Sequence, residues 1–412
     1  MSRTRTRRGE ATIVLIQGSK VPRLLQVVHG YPSTYLGPQY EFPSFPIPHD
    51  DVVAPSININ STKIKIKGYL QTLLFPSMTS LPSTYRALRF STLAGPLTVE
   101  EQDISSIQTP KTLLIKVHFA SINPVDTQLW RAGIVSVVAS SKGMGRDFSG
   151  TIVAVGDQVK GNWSIGEEEV FGMLFQLFGQ GTFSQYIAVD PASDPVVKKP
   201  NCLSHEAAAS IPLVTLTMFA ALDWLPESKG DAQRKVIVRG ASGGCGSWAV
   251  QLAKLLYDCH VTAICSGRNV DYVKSLGADE VIDYTSQPVV ETLLDSKIAS
   301  KNFDLLIDCV GGTELIPAYP ELLHSKGAYV TIVGDKTDIK GLGGPMTFFK
   351  HPIQIWRYLK SLIWGPRYAV VSLYTKSKYL EKVVGLAERG EVKIEIQEVI
   401  RDALNERERG LE

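Results

Sequence analysis

Seven residues in the middle of the chain, Gly240-Ala241-Ser242-Gly243-Gly244-Cys245-Gly246, have the types and spacing to hold a diphosphate. Glycine serves three purposes in such a turn. It makes the tight bend, lets backbone approach the pyrophosphate closely, and lets a helix pack near a strand. Amides free at the helix start then meet the phosphates, helped by the helix dipole. The flanks fit, because Lys235–Arg239 (KVIVR) reads as a short apolar strand and 247–257 as a helix. A glycine-rich turn alone is weak evidence. Here four further strand–helix units surround it, and together they make a dinucleotide site the expectation.

The end of the next strand decides which dinucleotide. An NAD site usually carries Asp or Glu about 20 residues past the glycines, bonded to the ribose 2′-hydroxyl. Here the residues are Cys265-Ser266-Gly267-Arg268, without a carboxylate. A small hydroxyl beside a guanidinium suits a 2′-phosphate, which arginine grips through parallel charge-assisted bonds. NADPH is therefore expected. The competing reading makes Arg268 a solvated residue at a helix start.

Other chemistry is thinner. A catalytic zinc needs three Cys, His or acid ligands and an open fourth position. Before Cys202 there is no cysteine, and His118 sits mid-strand, so no metal is expected. The five cysteines (Cys202, Cys245, Cys259, Cys265, Cys309) form no CxxC pair, which fits a reducing compartment. A net charge of +2 gives no field that would draw nucleic acid. No apolar run approaches the roughly 20 residues of a membrane span.

The elements that must position these residues fall into blocks. Residues 1–83 read as an irregular extension punctuated by proline, in which short runs such as Ile13–Ile16 and 64–68 lack obvious partners. Residues 84–204 are β-rich: Thr112–Phe119 alternates at period two, and Gly150–Val155 and Phe183–Val189 repeat the pattern. Residues 205–340 alternate strands (Lys235–Arg239, His260–Cys265, 280–284, 303–310, 328–333) with helices (270–276, 289–298, 315–323). That is a doubly wound α/β sheet covered on both faces. Residues 341–412 hold a helix after Pro352, a strand at 368–373, a helix at 377–389 and a strand at 392–399, returning to the first domain. A substrate then meets a cofactor in the cleft between the two.

GASGGCGSWAVQLAK (240–254), SLGADEVIDY (275–284) and DCVGG (308–312) together resemble the medium-chain dehydrogenase/reductase superfamily. SINPVDTQLWRAG (121–133), GRDFSGTIVAVG (145–156) and GTFSQYIAV (181–189) are similar to its zinc-free quinone oxidoreductase branch. Zinc-dependent relatives would carry a cysteine ligand in the first of these and Gly-His-Glu in the second. Here those places hold Asn123-Pro124 and Gly145-Arg146-Asp147. The resemblance covers about 84–400 and implies a GroES-like β-rich catalytic domain joined to a Rossmann domain.

The resemblance also implies roles. Gly240, Gly243, Gly244 and Gly246 form the pyrophosphate turn, and Ser266, Arg268 and Tyr284 surround the 2′-phosphate. Thr217 lies near the phosphate–nicotinamide half, and Val310-Gly311 and Val333-Gly334 line the nicotinamide ribose. Asn123 and Asp126 belong to the substrate side, with Asn123 the candidate for polarising the acceptor. The implied reaction is hydride delivery to a quinone or to the β-carbon of an α,β-unsaturated carbonyl, with the protein aligning the two partners. The alternatives are a non-catalytic nucleotide-binding scaffold and an enoyl reductase of lipid or polyketide synthesis.

Four more expectations follow. Family members usually end with one more helix and a Gly-Lys-Val-Val strand. Stopping at ERERGLE, this chain would leave an unpaired sheet edge. The basic opening MSRTRTRR reads as a disordered tail or a mitochondrial transit segment, so a cytoplasmic location is expected with mitochondrial as the alternative. From 345 to 366, apolar Ile353, Trp356, Leu359 and Ile363 share one helical face, and Gln354, Arg357, Lys360 and Ser361 lie elsewhere. That helix reads as a lid or homodimer contact before a lipid-surface contact.

Overall fold

The computed structural model describes residues 12–16, 81–131, 142–175, 179–227, 233–295, 303–335 and 351–404. Residues 30–82 form one compact unit and the remainder another; the first lies almost wholly outside the described residues. So do the apolar run 64–68, Met78, the basic opening, residues 345–350 and the closing ERERGLE.

One sheet of the larger unit is antiparallel apart from one pair. It contains β1 (Thr12–Ile16), β4 (Leu113–Ile122), β6 (Asp147–Val155), β7 (Glu169–Met173), β9 (Val196–Lys198) and β16 (Ile396–Ile400), in the order β16-β1-β4-β6-β7-β9. β8 (Tyr186–Val189) pairs with β4 as well. A small sheet, β3 (Thr98–Asp103), β2 (Thr84–Phe90) and β5 (Lys142–Gly143), lies beside it. The period-two expectation for β4 holds in its first half. Leu113, Ile115 and Val117 enter a core with Phe148, Ile152, Ile187 and Val189.

The extension differs from the expectation here. The run Ile13–Ile16, read as unpartnered, lies in β1, whose residues 12–15 pair in parallel with 119–122 of β4 and whose residues 13–16 pair antiparallel with β16. A stretch of β-branched and aliphatic residues suits any open ladder, and its partners are about a hundred or more residues away in sequence. β1 therefore sits between β4 and β16. The strand expected at 392–399 starts only at Ile396, because Lys393 is tied elsewhere. Its amide donates to Gln251 Oε1 (2.7 Å) and its carbonyl accepts from Gln251 Nε2 (3.1 Å).

The other large sheet is parallel throughout: β10 (Lys235–Arg239), β11 (His260–Cys265), β12 (Glu280–Asp283), β13 (Phe303–Asp308), β14 (Leu323–Thr331) and β15 (Arg367–Val370). Their order is β12-β11-β10-β13-β14-β15. Alternate residues enter two different cores: Val236, Val238, Leu305 and Ile307 on one face, Ile237, Leu306, Tyr329 and Tyr368 on the other. Both faces are covered, which is why the strands read as continuous apolar runs. The order reverses direction between β10 and β13, and in open sheets of this kind ligands bind outside the carboxyl ends at that reversal.

Nine helices occur among the described residues. α1 (Pro124–Arg131), α2 (His205–Ala209) and α3 (Pro212–Leu222) precede the parallel sheet. Every residue of α3 is buried, as an all-round apolar helix must be, and it shares a core with Phe171 and Met173 of β7. α4 (Gly244–Leu255), α5 (Val270–Ser275), α6 (Val289–Leu294) and α7 (Tyr319–Leu322) are the crossovers. α7 is shorter than the 315–323 expected, since Pro317 and Pro320 offer no amide to a helix ladder. α8 (Ile353–Ser361) and α9 (Ser377–Glu388) complete the set.

α8 packs the reverse way from an ordinary surface helix. Its polar side is inward: Gln354 and Ser361 are buried, Tyr368 donates through its hydroxyl to Gln354 Oε1 (3.3 Å) and through its amide to Ser361 Oγ (3.0 Å), and Arg357 pairs with Asp335 (2.8 Å). Ile353, Trp356, Leu359 and Ile363 face outward and are exposed.

Candidate active site

The corner between β10 and α4 has the geometry the glycines suggested. Gly240 takes a φ of +77°, open to glycine at little cost. A Cβ on Gly246 would stand 2.1 Å from the Gly240 carbonyl oxygen, so strand and helix touch backbone to backbone there. The amides divide into two groups. Those of Gly240 and Ala241 donate to the Ile264 carbonyl, both at 3.0 Å, and that of Gly243 to the Gly240 carbonyl at 3.0 Å. Gly240 and the Gly243 amide therefore build the corner and are not available to a phosphate. Gly243 is the N-cap of α4 and has no side chain to cap it, so the first-turn amides of Gly244, Cys245 and Gly246 remain for an anion.

Ser266, at the end of β11, is buried and lies beside this corner. Asn269 Nδ2 donates to both Ser266 Oγ (3.2 Å) and Ser242 Oγ (2.9 Å), tying the two loops. Arg268 and Tyr284 are exposed, and the Tyr284 amide donates to the Cys265 carbonyl (3.1 Å), so all three expected residues gather at the ends of β11 and β12. A fourth group was not foreseen. Asp283, ending β12, stands so near that a Cβ on Gly267 would lie 2.5 Å from its Oδ2. Thr285 and Ser286 donate to this carboxylate and hold its pKa below the usual range. The corner without a carboxylate in the β11 sequence receives one from the neighbouring strand.

The other strand ends complete the rim. Val310 is exposed, and the amides of Val310 and Gly311 both donate to Asp308 Oδ1 at 3.0 Å. The amides of Val333 and Gly334 donate to Thr331 Oγ1 (3.2 and 2.9 Å), and the Gly312 amide reaches the Gly334 carbonyl (3.0 Å). These two loops thus form one edge at the carboxyl ends of β13 and β14. Thr217 on α3 is buried and donates its hydroxyl to the Leu213 carbonyl (2.7 Å). Only its acceptor lone pairs remain for a ligand.

The β-rich part supplies a buried polar cluster. Asn123 closes β4 and opens α1; its amide donates to Asp126 Oδ2 (2.7 Å), a capping arrangement. Its side-chain Nδ2 donates to Asp147 Oδ2 (2.9 Å) and Ser121 Oγ (3.3 Å). Asp147 is fully buried, accepts also from Ser121 Oγ (3.0 Å), and caps α3 by accepting the Leu213 amide at Oδ1 (3.0 Å). Asp147 was not among the expected site residues. Its only sequence signal was its place in GRDFSG, and its pairing opposite Ser121 is a register property. Burial pushes the Asp126 carboxyl up to about 6, against the pull of Arg146, and Asp126 Oδ1 has no hydrogen-bond partner. Burial and, less strongly, Asp147 push the Cys245 thiol up to about 12. The raised pKa makes Cys245 a poor nucleophile. The cluster and the glycine corner are joined through one helix pair, because Asp147 caps α3 and α3 packs against α4.

His118 is not arranged as a ligand. Its Nε2 bonds Thr151 Oγ1 (2.8 Å) and its ring lies 4.6 Å from that of His205. Burial and the neighbouring cationic groups push it down to about 4, so it is neutral. Among the described residues no three His, Cys, Asp or Glu side chains converge as a metal site.

The chain was compared with known proteins. A family model described as alcohol dehydrogenase GroES-like domain matches residues 109–201, and one described as zinc-binding dehydrogenase matches 244–354. The mouse protein named "NAD(P)H oxidoreductase RTN4IP1, mitochondrial" is 32% identical over 307 residues, covering 70% of this chain and 75% of that one. The Arabidopsis thaliana "Chloroplast envelope quinone oxidoreductase homolog" is 31% identical over 317 residues, 74% and 88% of the two chains. The Aspergillus terreus "Trans-enoyl reductase pgmF" is 33% identical over 272 residues, 61% and 72%. Among solved structures, the quinone oxidoreductase from Coxiella burnetii superposes with a TM-score of 0.61 at 25% identity, over 76% of this chain and 90% of that one.

Proposed function

Because the chain belongs to the medium-chain dehydrogenase/reductase superfamily, quinone oxidoreductase-like, we propose that it is an NADPH-dependent reductase of quinones or α,β-unsaturated carbonyls that works without zinc. The observation that carries this reading is one juxtaposition. Open first-turn amides of α4 at the strand-order reversal belong to a helix packed against α3, whose start is capped by the Asp147 that holds Asn123. When bound, the nicotinamide cofactor supplies a hydride to the acceptor, whose oxygen then gathers negative charge.

The chain's own residues do the rest. Gly244, Cys245 and Gly246 offer amides to the diphosphate, and Ser266, Arg268 and Tyr284 surround the adenosine end. The loops at Val310-Gly311 and Val333-Gly334 border the nicotinamide ribose, and Thr217 serves the phosphate–nicotinamide half. Asn123 meets the acceptor's oxygen, and Asp126 fixes the backbone of Asn123. Hydrogen-bond donors must carry the oxyanion in a site without a Lewis acid. Steady turnover of NADPH with a panel of quinones and enals tests the reading. Tight binding without turnover would favour the non-catalytic scaffold instead, and turnover confined to enoyl thioesters would favour the enoyl reductase that the Aspergillus relative's name suggests.

Arg268 and Ser266 support NADPH over NADH, while Asp283, its lone pairs already engaged by Thr285 and Ser286, works against a second negative charge nearby. Arg268→Ala should weaken NADPH binding about 10- to 100-fold, the worth of a charge-assisted bond of about 1.5–3 kcal/mol, with NADH almost unaffected. Titration calorimetry with both nucleotides checks this; equal losses would remove Arg268 from the 2′-phosphate.

For protein partners we read a second copy of this chain. The exposed apolar side of α8, with Trp356 at 63% exposure and Trp364 just past its end at 66%, lies beside β15, one of the two edge strands of the parallel sheet among the described residues. Such an edge invites continuation across a twofold axis. Sedimentation should show a dimer that Trp356→Ser/Ile363→Ser disperses; a monomer that floats with anionic vesicles would favour the lipid surface. Among the described residues no helix is long and apolar enough to cross a membrane. The mouse relative's name favours the mitochondrial alternative over the cytoplasm, and imaging a tagged chain would decide.

A further inference from the structure

The Asn123 carboxamide has two unlike ends, and in this structure the donor end is already committed. Nδ2 carries two hydrogens, directed to Asp147 Oδ2 (2.9 Å) and Ser121 Oγ (3.3 Å). What remains is Oδ1, an acceptor, which offers nothing to an oxygen gaining negative charge. This arrangement is therefore the wrong one for the role proposed for Asn123. Asp147 determines it, because a carboxylate can only accept and so holds the amide nitrogen toward itself.

A protonated Asp147 changes the arithmetic of donors and acceptors. Its hydroxyl can donate to Asn123 Oδ1 once the carboxamide turns by half a rotation, while its other oxygen continues to accept from the Leu213 amide. Nδ2 is then released for a ligand. The turn displaces no heavy atom appreciably, since an amide's two ends are nearly the same size.

We propose that Asp147 is a positioning residue whose protonation selects which end of the Asn123 carboxamide is offered to the acceptor. Building on the reductase reading, the donor-out arrangement is the productive one. The groups facing Asp147 are consistent with a proton being held there at neutral pH. Complete burial raises its pKa to about 8 and the Asp126 carboxylate adds to that, while the donors Asn123, Ser121 and Leu213 pull it down. Arg146 pulls on the Asp126 carboxyl, and the neighbouring Cys245 thiol is neutral. The sign follows: the productive form is present below about pH 8 and is lost as pH rises through it.

The experiment follows the Asn123 side-chain amide by ¹⁵N NMR in the full chain, from pH 6 to 9.5, its signal identified by its loss in Asn123→Ala. The expected result is a shift with a midpoint near 8 that disappears in Asp147→Asn, which has no proton to lose. An Asn123 signal indifferent to pH overturns the inference, and so does one that titrates identically in Asp147→Asn. This readout needs no turnover, so failure of the reductase reading is seen separately as inactivity with every quinone and enal. With an active protein, wild-type kcat should fall about tenfold per pH unit above the midpoint. Asp147→Asn and Asn123→Ala should both lose that limb, Asn123→Ala from a lower plateau. Should Asp147→Asn fail to fold, the Asn123→Ala profile decides alone: an unchanged basic limb there overturns the inference.

Discussion

Gly246→Val is expected to weaken pyridine-nucleotide binding by at least about 100-fold, the largest effect of any single change at the glycine corner. The first atom added already stands 2.1 Å from the Gly240 carbonyl oxygen, 2.7 Å from its carbon and 2.8 Å from the Ala241 Cα. All three are backbone atoms that belong to the end of β10 and its turn, so nothing flexible can move aside. The start of α4 must move away from the strand by about an ångström, and misplacement on that scale can cost about 100-fold where alignment matters. Its first-turn amides then no longer converge on one point. Gly243 provides the internal comparison, because a Cβ there meets only the Gly240 oxygen, at 3.3 Å. Gly243→Ala should therefore bind nucleotide far better than Gly246→Val. Calorimetry on both, with melting curves to confirm folding, checks the order. A folded Gly246→Val that binds like the wild type would remove the diphosphate from this corner.

Asn123→Ala should lower kcat about 100-fold near pH 6.5, as loss of one oxyanion donor commonly does, while nucleotide affinity stays the same. The separation is diagnostic because Asn123 is proposed to serve the acceptor, and its side-chain bonds go to Asp147 and Ser121 rather than to the glycine corner. Some stability will also go, about 1–3 kcal/mol, since Asp147 loses a buried donor. If Asp147 governs the amide as proposed, the deficit narrows at pH 9, where the wild-type carboxamide no longer presents its donor. Pre-steady-state reduction of a quinone at the two pH values measures both quantities. An unchanged kcat in well-folded Asn123→Ala would place the acceptor elsewhere.

Much of this molecule could be read from local patterns. β10 and β11 were bounded correctly because short apolar runs flanked by glycine and polar residues leave few alternatives. β1 was legible as strand-forming material but not as a member of the sheet, since an aliphatic run does not name its partners. α8 was read correctly as amphipathic, but which of its faces turns inward was not legible. Periodicity gives the faces of a helix, and the buried partners Tyr368 and Asp335 decide which face turns inward.

The sequence by itself determined the sheet type, the glycine corner, and the hydroxyl and guanidinium beside it. Each depends on residues adjacent in the chain, where backbone stereochemistry and side-chain type act within a few bonds. Only the tertiary structure decided that Asp283 joins the loop of Ser266 and Arg268 after β11, that the Gly240 amide is engaged by Ile264, and that Asp147 holds Asn123 to the start of α3. Those depend on strand order and register between segments far apart in sequence. Pairing is fixed by the collective burial of whole faces, and no single residue type announces it.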